Sequence, residues 1–193
     1  MRIGIDIDGT ITNLHSEIIK YGMQYNDKIK GNGIKDDNAY RITEIFDWDA
    51  NECLKFKKYI QREILNSIKP RDDVCKCFAE IKSLGHEIYI ITGRKSNEME
   101  NTYQETLNWL KSNNIIFDKL VIEENNKGIA CIENEIDIFI DDSSKHLKRV
   151  CDAGIEEVYI FDNVYNKIDN QYKRIYSFYE LCDKIKTYSY KNN

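Results

Sequence analysis

Residues 2–10 read Arg2-Ile3-Gly4-Ile5-Asp6-Ile7-Asp8-Gly9-Thr10. The apolar residues predict a buried strand over residues 3–7, and Gly9 predicts a turn directly after it. Because side chains alternate along a strand, Asp6 and Asp8 are expected to point to the same side. A plain polar turn would give the same pattern, but two carboxylates on a buried strand are costly without a function. The stretch therefore favours a functional site at the end of this strand.

A second acidic pair, Asp141-Asp142, follows the apolar run Ile136-Asp137-Ile138-Phe139-Ile140. Carboxylates crowded at the ends of buried strands repel one another unless a cation neutralises them. Oxygen ligands of this kind suit a hard divalent ion, and Mg²⁺ is the expected one. The two acidic motifs together predict a magnesium site and a reactive aspartate.

Strand and helix patterns alternate along the rest of the chain. Strands are predicted at residues 86–92, 120–122, 136–140 and 158–161. Helices are predicted at about residues 74–84, 97–111, 127–134 and 144–153, and a final helix begins after Ser177. This alternation is typical of parallel βαβ units, so we predict an α/β fold with a three-layer, Rossmann-like parallel sheet.

The segment between the first two strands is too long for one ordinary crossover connection. It carries its own helical patterns, and the only proline, Pro70, is expected to mark its return to the core. We predict a core domain of residues 1–12 and 70–193 and a small helical cap of residues 13–69. The cap would stand over the acidic cluster, where ligands bind in open α/β sheets, and act as a lid. An insertion that only stabilises the fold is the alternative.

The composition is that of an ordinary globular protein, with 41% hydrophobic and 32% charged residues among 193. A net charge of −5 argues against a broad nucleic-acid interface. No stretch has the length and hydrophobicity of a transmembrane helix, and the scattered cysteines are typical of reduced thiols. We therefore expect a cytoplasmic protein without a nucleic-acid polymer or a membrane as partner.

Three further groups of residues are candidates for binding. Thr92-Gly93-Arg94 ends the second strand, where a hydroxyl, an amide and a guanidinium suit phosphoryl oxygens, although a surface salt bridge would equally explain Arg94. Lys127 is a candidate phosphate-neutralising lysine at a helix start, with Lys145 as its competitor. Five cap aromatics could stack on a nucleobase, although any one of them is more easily explained as core. They are Tyr21, Tyr25, Tyr40, Phe46 and Trp48.

In chain order, these motifs resemble the four motifs of the haloacid dehalogenase-like phosphohydrolases. They are Asp6-x-Asp8-Gly9-Thr10, Thr92-Gly93-Arg94, Lys127 and Asp141-Asp142. Within that superfamily, the size of the cap and the Asp-Asp form of the last motif make the chain most similar to small bacterial proteins related to cytosolic 5′(3′)-deoxyribonucleotidases.

The resemblance implies a role for each matched residue. Asp6 would be the nucleophile that forms an aspartyl-phosphate, and Asp8 the general acid and base. Lys127 would neutralise charge. Mg²⁺ would be bound by Asp6, by the backbone carbonyl of Asp8 and by Asp142, with Asp141 holding a metal-bound water. The reverse assignment of Asp141 and Asp142 stays open.

Three functions remain possible at this point. The first is a magnesium-dependent phosphomonoesterase that hydrolyses nucleoside 5′-monophosphates, with deoxynucleotides preferred and Phe46 and Trp48 contacting the substrate. The second is the same chemistry on a sugar phosphate or another small phosphorylated metabolite. The third is a non-catalytic phosphate-binding module, which the presence of both Asp6 and Asp8 disfavours.

Overall fold

Six parallel strands form one sheet in the order β3-β2-β1-β4-β5-β6. The computed structural model describes residues 1–94, 101–122 and 126–191. The strands are β1 (Arg2–Ile5), β2 (Glu87–Thr92), β3 (Lys119–Ile122), β4 (Ile138–Asp141), β5 (Glu157–Phe161) and β6 (Lys173–Ile175). The described helices are α1 (Leu14–Ile29), α2 (Ile42–Ile45), α3 (Ala50–Tyr59), α4 (Val74–Ser83), α5 (Thr102–Ser112), α6 (Lys127–Glu133), α7 (Ser144–Asp152) and α8 (Phe178–Lys191).

The sheet is the middle of three layers, because alternate strand residues face two separate apolar clusters. On β5, Tyr159 and Phe161 pack with α4, α5 and α8, whereas Val158 and Ile160 pack with α6 and α7. Strands covered on both faces explain why the sequence shows nearly continuous apolar runs. The α/β, three-layer prediction is confirmed.

The first strand is shorter than its apolar run suggests. β1 ends at Ile5, and residues 7–11 close into a tight loop in which the Thr12 amide donates to the Ile7 carbonyl at 2.9 Å. The loop reverses at Gly9, whose φ is +95°. Asp6 and Asp8 therefore belong to a loop and not to a strand, so strand alternation does not determine where their side chains point.

Two other predicted elements differ from the structure. β6 was not predicted because it is a three-residue edge strand of sequence Lys-Arg-Ile, in which only Ile175 is buried. The helix predicted from residue 97 begins at Thr102, where the Asn101 side chain accepts a hydrogen bond from the Gln104 amide. Residues 97–100 of that prediction lie outside the described residues.

Residues 13–69, called the cap below, contain α1, α2, α3 and an i→i+5 hydrogen-bonded turn at Ile60–Ile64. Their apolar side chains form a cluster of their own, centred on Ile45, Phe46 and Phe56. Thr12 and Pro70 pair in an isolated antiparallel bridge at the base of the cap.

Among the described helices, none has the length and hydrophobicity required to cross a membrane.

The order of the strands places the ends of β1 and β4 side by side at the point where the chain reverses direction across the sheet. The Asp6 amide donates to the Ile140 carbonyl at 3.0 Å, which joins the two strand ends. In open α/β sheets ligands bind at this switch point, beyond the carboxyl ends of the strands. Both acidic motifs therefore meet at one edge of the sheet, beneath the cap.

Candidate active site

The floor of the site is an ion cluster that is shielded from solvent. Lys127, the first residue of α6, donates from Nζ to Asp6 Oδ1 and to Asp141 Oδ2, the latter at 2.6 Å. All three side chains are at most 6% exposed. Lys145, the alternative in the sequence, is exposed on α7. The structure therefore brings Lys127, and not Lys145, into contact with Asp6.

Burial and neighbouring charges shift the pKa values of the three buried carboxyl groups, Asp6, Asp141 and Asp142. Burial, with added repulsion from Asp141 and Asp8, raises the pKa of Asp6 to about 6 despite the attraction of Lys127. Burial raises the pKa of Asp142 well above its ordinary value, and the negative charges of Asp141 and Asp6 add to that effect. For Asp141 the burial effect is outweighed by Lys127 and His146, and its pKa is lowered to about 2. Burial thus disfavours negative charge on Asp6 and Asp142 beside the single positive charge of Lys127, and a further cation would relieve that cost.

Three side chains donate hydrogen bonds to Asp142. Tyr165 donates from its hydroxyl to Asp142 Oδ2 at 2.6 Å, and Thr10 donates to Oδ1 at 3.4 Å. The Asn166 side-chain amide donates to the Asp142 carbonyl at 2.9 Å. A side chain at Gly9 would place its Cβ 2.5 Å from Asp142 Oδ2, so only glycine fits there. The first and last acidic motifs are therefore packed directly against each other.

The three buried carboxylates fit a divalent cation. Asp6, Asp141 and Asp142 each offer an oxygen, and these oxygens lie within 4.8 Å of one another. An all-oxygen donor set with surplus negative charge is what Mg²⁺ or a similar hard ion prefers. The Asp8 carboxylate does not belong to this set.

The Asp8 carboxylate pairs with Arg94, whereas that of Asp6 pairs with Lys127. The Arg94 Nε and Nη2 atoms donate to the two Asp8 carboxylate oxygens at 2.7 and 2.8 Å. The Arg94 side chain is 2% exposed and that of Asp8 is 20% exposed. The salt bridge considered for Arg94 from the sequence exists, but it is buried inside the site and not on the surface.

Two adjoining cavities open above the floor. The smaller, of about 280 Å³, is lined by Asp6, Asp8, Thr92, Gly93 and Arg94. The larger, of about 550 Å³, extends from Asp8 and Asp142 into the cap. Its wall is largely apolar, with Leu14, Ile18, Ile42, Ala50, Cys53 and Leu54. Pockets of this size accommodate small metabolites.

The cap aromatics divide into two groups. Phe46 and Trp48 stack at 4.1 Å inside the cap, where Phe46 is 1% exposed and Trp48 donates to Asn26 Oδ1 at 2.9 Å. Neither of them is among the residues that line the two cavities. Tyr40 does line both cavities and is 56% exposed. Its ring lies 5.2 Å from that of Tyr165, which is in turn 5.1 Å from His15.

Several residues near the floor were not singled out from the sequence. His146 approaches Asp141 with Nδ1 at 3.2 Å. Arg71 donates to the Thr10 carbonyl at 2.9 Å, and Asn163 donates to the Gly9 carbonyl at 2.9 Å. Tyr165 and Asn163 follow β5, so their position after a strand end was the one available signal for them. Arg71 reaches the site through the tertiary fold, whereas His146 lies five residues after Asp141, in the first turn of α7.

Comparison with known proteins agrees with this geometry. The family model "5′ nucleotidase, deoxy (Pyrimidine), cytosolic type C protein" matches residues 1–189. Two relatives bear the name "Putative nucleotidase". BH1399 of Halalkalibacterium halodurans is 27% identical over 86% of this chain and 82% of its own length. YqfW of Bacillus subtilis is 26% identical over 93% of this chain and 91% of its own length.

Solved structures share the fold at low sequence identity. A "predicted phosphatase" from Clostridium acetobutylicum aligns with a TM-score of 0.66 at 16% identity, over 95% of this chain and 97% of that one. A haloacid dehalogenase-superfamily hydrolase from Ehrlichia chaffeensis aligns with a TM-score of 0.62 at 12% identity, over 96% of each chain. Since the family model covers nearly all of the sequence, the chain belongs to the cytosolic type C 5′-deoxynucleotidase family, a haloacid dehalogenase-like group of phosphoric monoester hydrolases.

Proposed function

We propose that the protein is a magnesium-dependent phosphatase that hydrolyses nucleoside 5′-monophosphates, with deoxynucleotides preferred, through an aspartyl-phosphate on Asp6. The observation that carries the proposal is the buried Asp6–Lys127–Asp141 cluster, which forms the floor of a cavity with an apolar wall. The floor suits a phosphoryl group, and the wall suits the rest of a nucleotide.

In the proposed reaction, an Asp6 carboxylate oxygen forms a bond to phosphorus as the bond from phosphorus to the ester oxygen breaks. Asp8 gives its proton to that ester oxygen, which leaves as an alcohol. Asp8 then takes a proton from the water that attacks phosphorus in the aspartyl-phosphate; the bond from phosphorus to the Asp6 oxygen breaks, which releases inorganic phosphate and restores the Asp6 carboxylate. Lys127 offsets charge on Asp6 and on the phosphoryl group throughout.

The metal site is proposed for the same floor. Asp6, Asp142 and the backbone carbonyl of Asp8 would bind Mg²⁺, and Asp141 would hold one of its waters. When bound, the ion supplies the positive charge that lets a carboxylate approach a phosphate dianion. Thr92 and Gly93 would donate to the phosphoryl oxygens from the end of β2.

The cap would recognise the nucleoside. Phe46 and Trp48 were predicted for this role, but they are used in the cap interior. We therefore propose that Tyr40, with His15 and Tyr165 behind it, provides the aromatic surface for the base. Lys57 and Arg41 also line the larger cavity and would attract anionic substrates. A location in the cytoplasm stays the expectation from the sequence.

The test is phosphate release from a panel of ribo- and deoxynucleoside monophosphates and sugar phosphates, with Mg²⁺ and with a chelator. The Asp6→Asn variant serves as the blank. Selective, Mg²⁺-dependent release from deoxynucleotides is the expected result. Release from sugar phosphates alone would keep the chemistry and overturn the substrate. A folded protein that releases no phosphate from any compound in the panel would favour a binding role.

A further inference from the structure

The most unusual feature of the cleft is the way in which the Arg94 guanidinium is enclosed. It lies over the Trp109 ring, 5.5 Å from the ring centre, and Nη2 also donates to the cap carbonyl of Leu65 at 3.4 Å. Trp109 is itself fixed, since its Nε1 donates to the Ile68 carbonyl at 2.8 Å. The guanidinium is therefore held by α5 on one side and by the end of the cap on the other.

This enclosed guanidinium uses its paired donors on Asp8. Two nitrogens meet two carboxylate oxygens at 2.7 and 2.8 Å, a planar, two-point contact that fixes the direction of the carboxylate as well as its place. Asp8 has little else to fix it, because it follows β1 in a loop and precedes Gly9, where the backbone reverses. Asp6, by contrast, is directed by Lys127.

We propose that Arg94 is a positioning residue for Asp8 and not a phosphate ligand. This inference rests on the proposed function, in which Asp8 transfers the proton. A phosphoryl group could take the paired donors of Arg94 only by displacing Asp8. In turnover, one Asp8 oxygen stays on the guanidinium, while the other leaves its Arg94 donor and carries the proton that it gives to the ester oxygen and later takes one from water.

One observation favours the competing role of Arg94, that of a phosphate ligand. Arg94 Nη1 is buried and finds no acceptor within the described part of the chain. A phosphoryl oxygen at that atom would make Arg94 a phosphate ligand. The two roles predict different dependence on the leaving group, because a phosphate ligand acts on every ester whereas a proton donor acts on poor leaving groups.

The experiment measures kcat/KM for Arg94→Met and Arg94→Lys on two esters. One is p-nitrophenyl phosphate, whose leaving group needs no proton, and the other is any alkyl monophosphate that the wild type hydrolyses. Loss of positioning is expected to lower kcat/KM about 100-fold on the alkyl ester and less than about fivefold on the aryl ester. Inhibition by inorganic phosphate should be unchanged. Arg2→Met removes an arginine–carboxylate pair at the opposite edge of the sheet and is the matched control.

A double-mutant cycle with Asp8→Asn completes the test on the alkyl ester. If Arg94 acts through Asp8, the double variant is no slower than Asp8→Asn alone. Multiplied losses, or equal losses on both esters with weaker inhibition by phosphate, would overturn the proposal. Should Arg94→Met fail to fold, Arg94→Lys decides, because it keeps the charge and loses the paired donors. Failure of the nucleotide assignment would leave this test intact, since any hydrolysed alkyl ester serves.

Discussion

The floor and the cap-side wall of the cleft are built in opposite ways. On the floor, Asp6, Lys127 and Asp141 are buried and pair with one another, and moving one of them leaves a buried charge unpaired. On the wall, apolar side chains such as Ile18 and Leu54 face an open cavity and depend on no single partner. From this comparison we expect the core to fix the chemistry and the wall, whose residues can vary at low cost, to select the substrate.

The cap also has two different faces, a packed interior face and a face that lines the cavity. Its interior face holds the stacked Phe46–Trp48 pair, and a Cβ at Gly22 would lie 2.0 Å from the Phe46 ring. Its cavity face holds Tyr40, which is more than half exposed. Substitutions on the two faces should therefore affect different quantities, stability on the interior face and substrate binding on the cavity face.

The largest effect is expected at Asp6, which tests whether the floor of the cleft supplies the nucleophile. Asp6→Asn keeps the size of the side chain and removes the nucleophile, so phosphate release should fall by about 10⁴-fold or more. Its thermal unfolding should remain cooperative. Asp152→Asn, which changes an exposed aspartate on α7, is the control and should keep full activity. Near-normal turnover in Asp6→Asn would show that the floor does not supply the nucleophile.

Lys127→Met tests whether the floor is as interdependent as its contacts suggest. The change leaves Asp6 and Asp141 buried without their shared cation, so the free energy of unfolding at pH 7 should drop by about 3–5 kcal/mol. Urea unfolding monitored by circular dichroism measures it. Lys145→Met, at the exposed lysine on α7, should change stability by less than about 0.5 kcal/mol. Equal stability of the two variants would contradict the ion cluster.

Tyr40→Ala tests whether the cap-side wall of the cleft binds the substrate. If the Tyr40 ring stacks on the substrate, KM for the preferred nucleotide should rise about tenfold, with kcat changed less than about threefold. Phe46→Ala should instead lower the free energy of unfolding by about 3–5 kcal/mol, because its ring fills the cap interior. Tyr176→Ala, at an exposed tyrosine near α8, is the control. An unchanged KM in Tyr40→Ala would move substrate recognition elsewhere on the wall.

The smallest expected effect concerns pH and the cation. The raised pKa values of Asp6, about 6, and of Asp142 mean that these groups stabilise the folded state fully below about pH 4. The contribution of Asp6 is lost as the pH rises through about 6, and that of Asp142 is lost as the pH rises through its own raised pKa. Asp141, whose pKa is lowered to about 2, acts in the opposite sense, and only below about pH 4. In a chelator, the contribution of the cluster to stability should thus be smaller at pH 7.5 than at pH 5.

Mg²⁺ should reverse part of this loss, because it binds ionised carboxylates. Thermal melts with and without Mg²⁺ should show a rise in Tm at pH 7.5 that exceeds the rise at pH 5 by a few degrees. Asp142→Asn should abolish the difference. Equal shifts at both pH values in the wild type would mean that the cluster is not the cation site.

Much of the fold was readable from the residues because local signals and global architecture agree. The sequence shows long apolar runs, helix-ending glycines at Gly85 and Gly154, and an alternation of strands and helices. Together these signals favour one arrangement, a parallel sheet covered by helices on both faces. The edge strand β6 lacked such a signal, since a short polar strand on the edge of a sheet buries a single side chain. The order of the motifs along the chain was enough to indicate the haloacid dehalogenase-like superfamily, because each motif ends or follows a predicted strand or begins a predicted helix.

The partners of each charged group depended on packing between distant segments. The apolar pattern placed Asp6 and Asp8 together, yet the chain leaves the sheet at Ile5, and the two carboxylates pair with different cations from different elements. Arg94 and Asp8 are 86 positions apart, and Lys127 and Asp6 are 121 apart. Composition and spacing specify which groups are available and at which edge of the sheet they gather. Which of them touch is settled by burial, because a charge removed from water must find its partner within a few ångströms, wherever along the chain that partner lies.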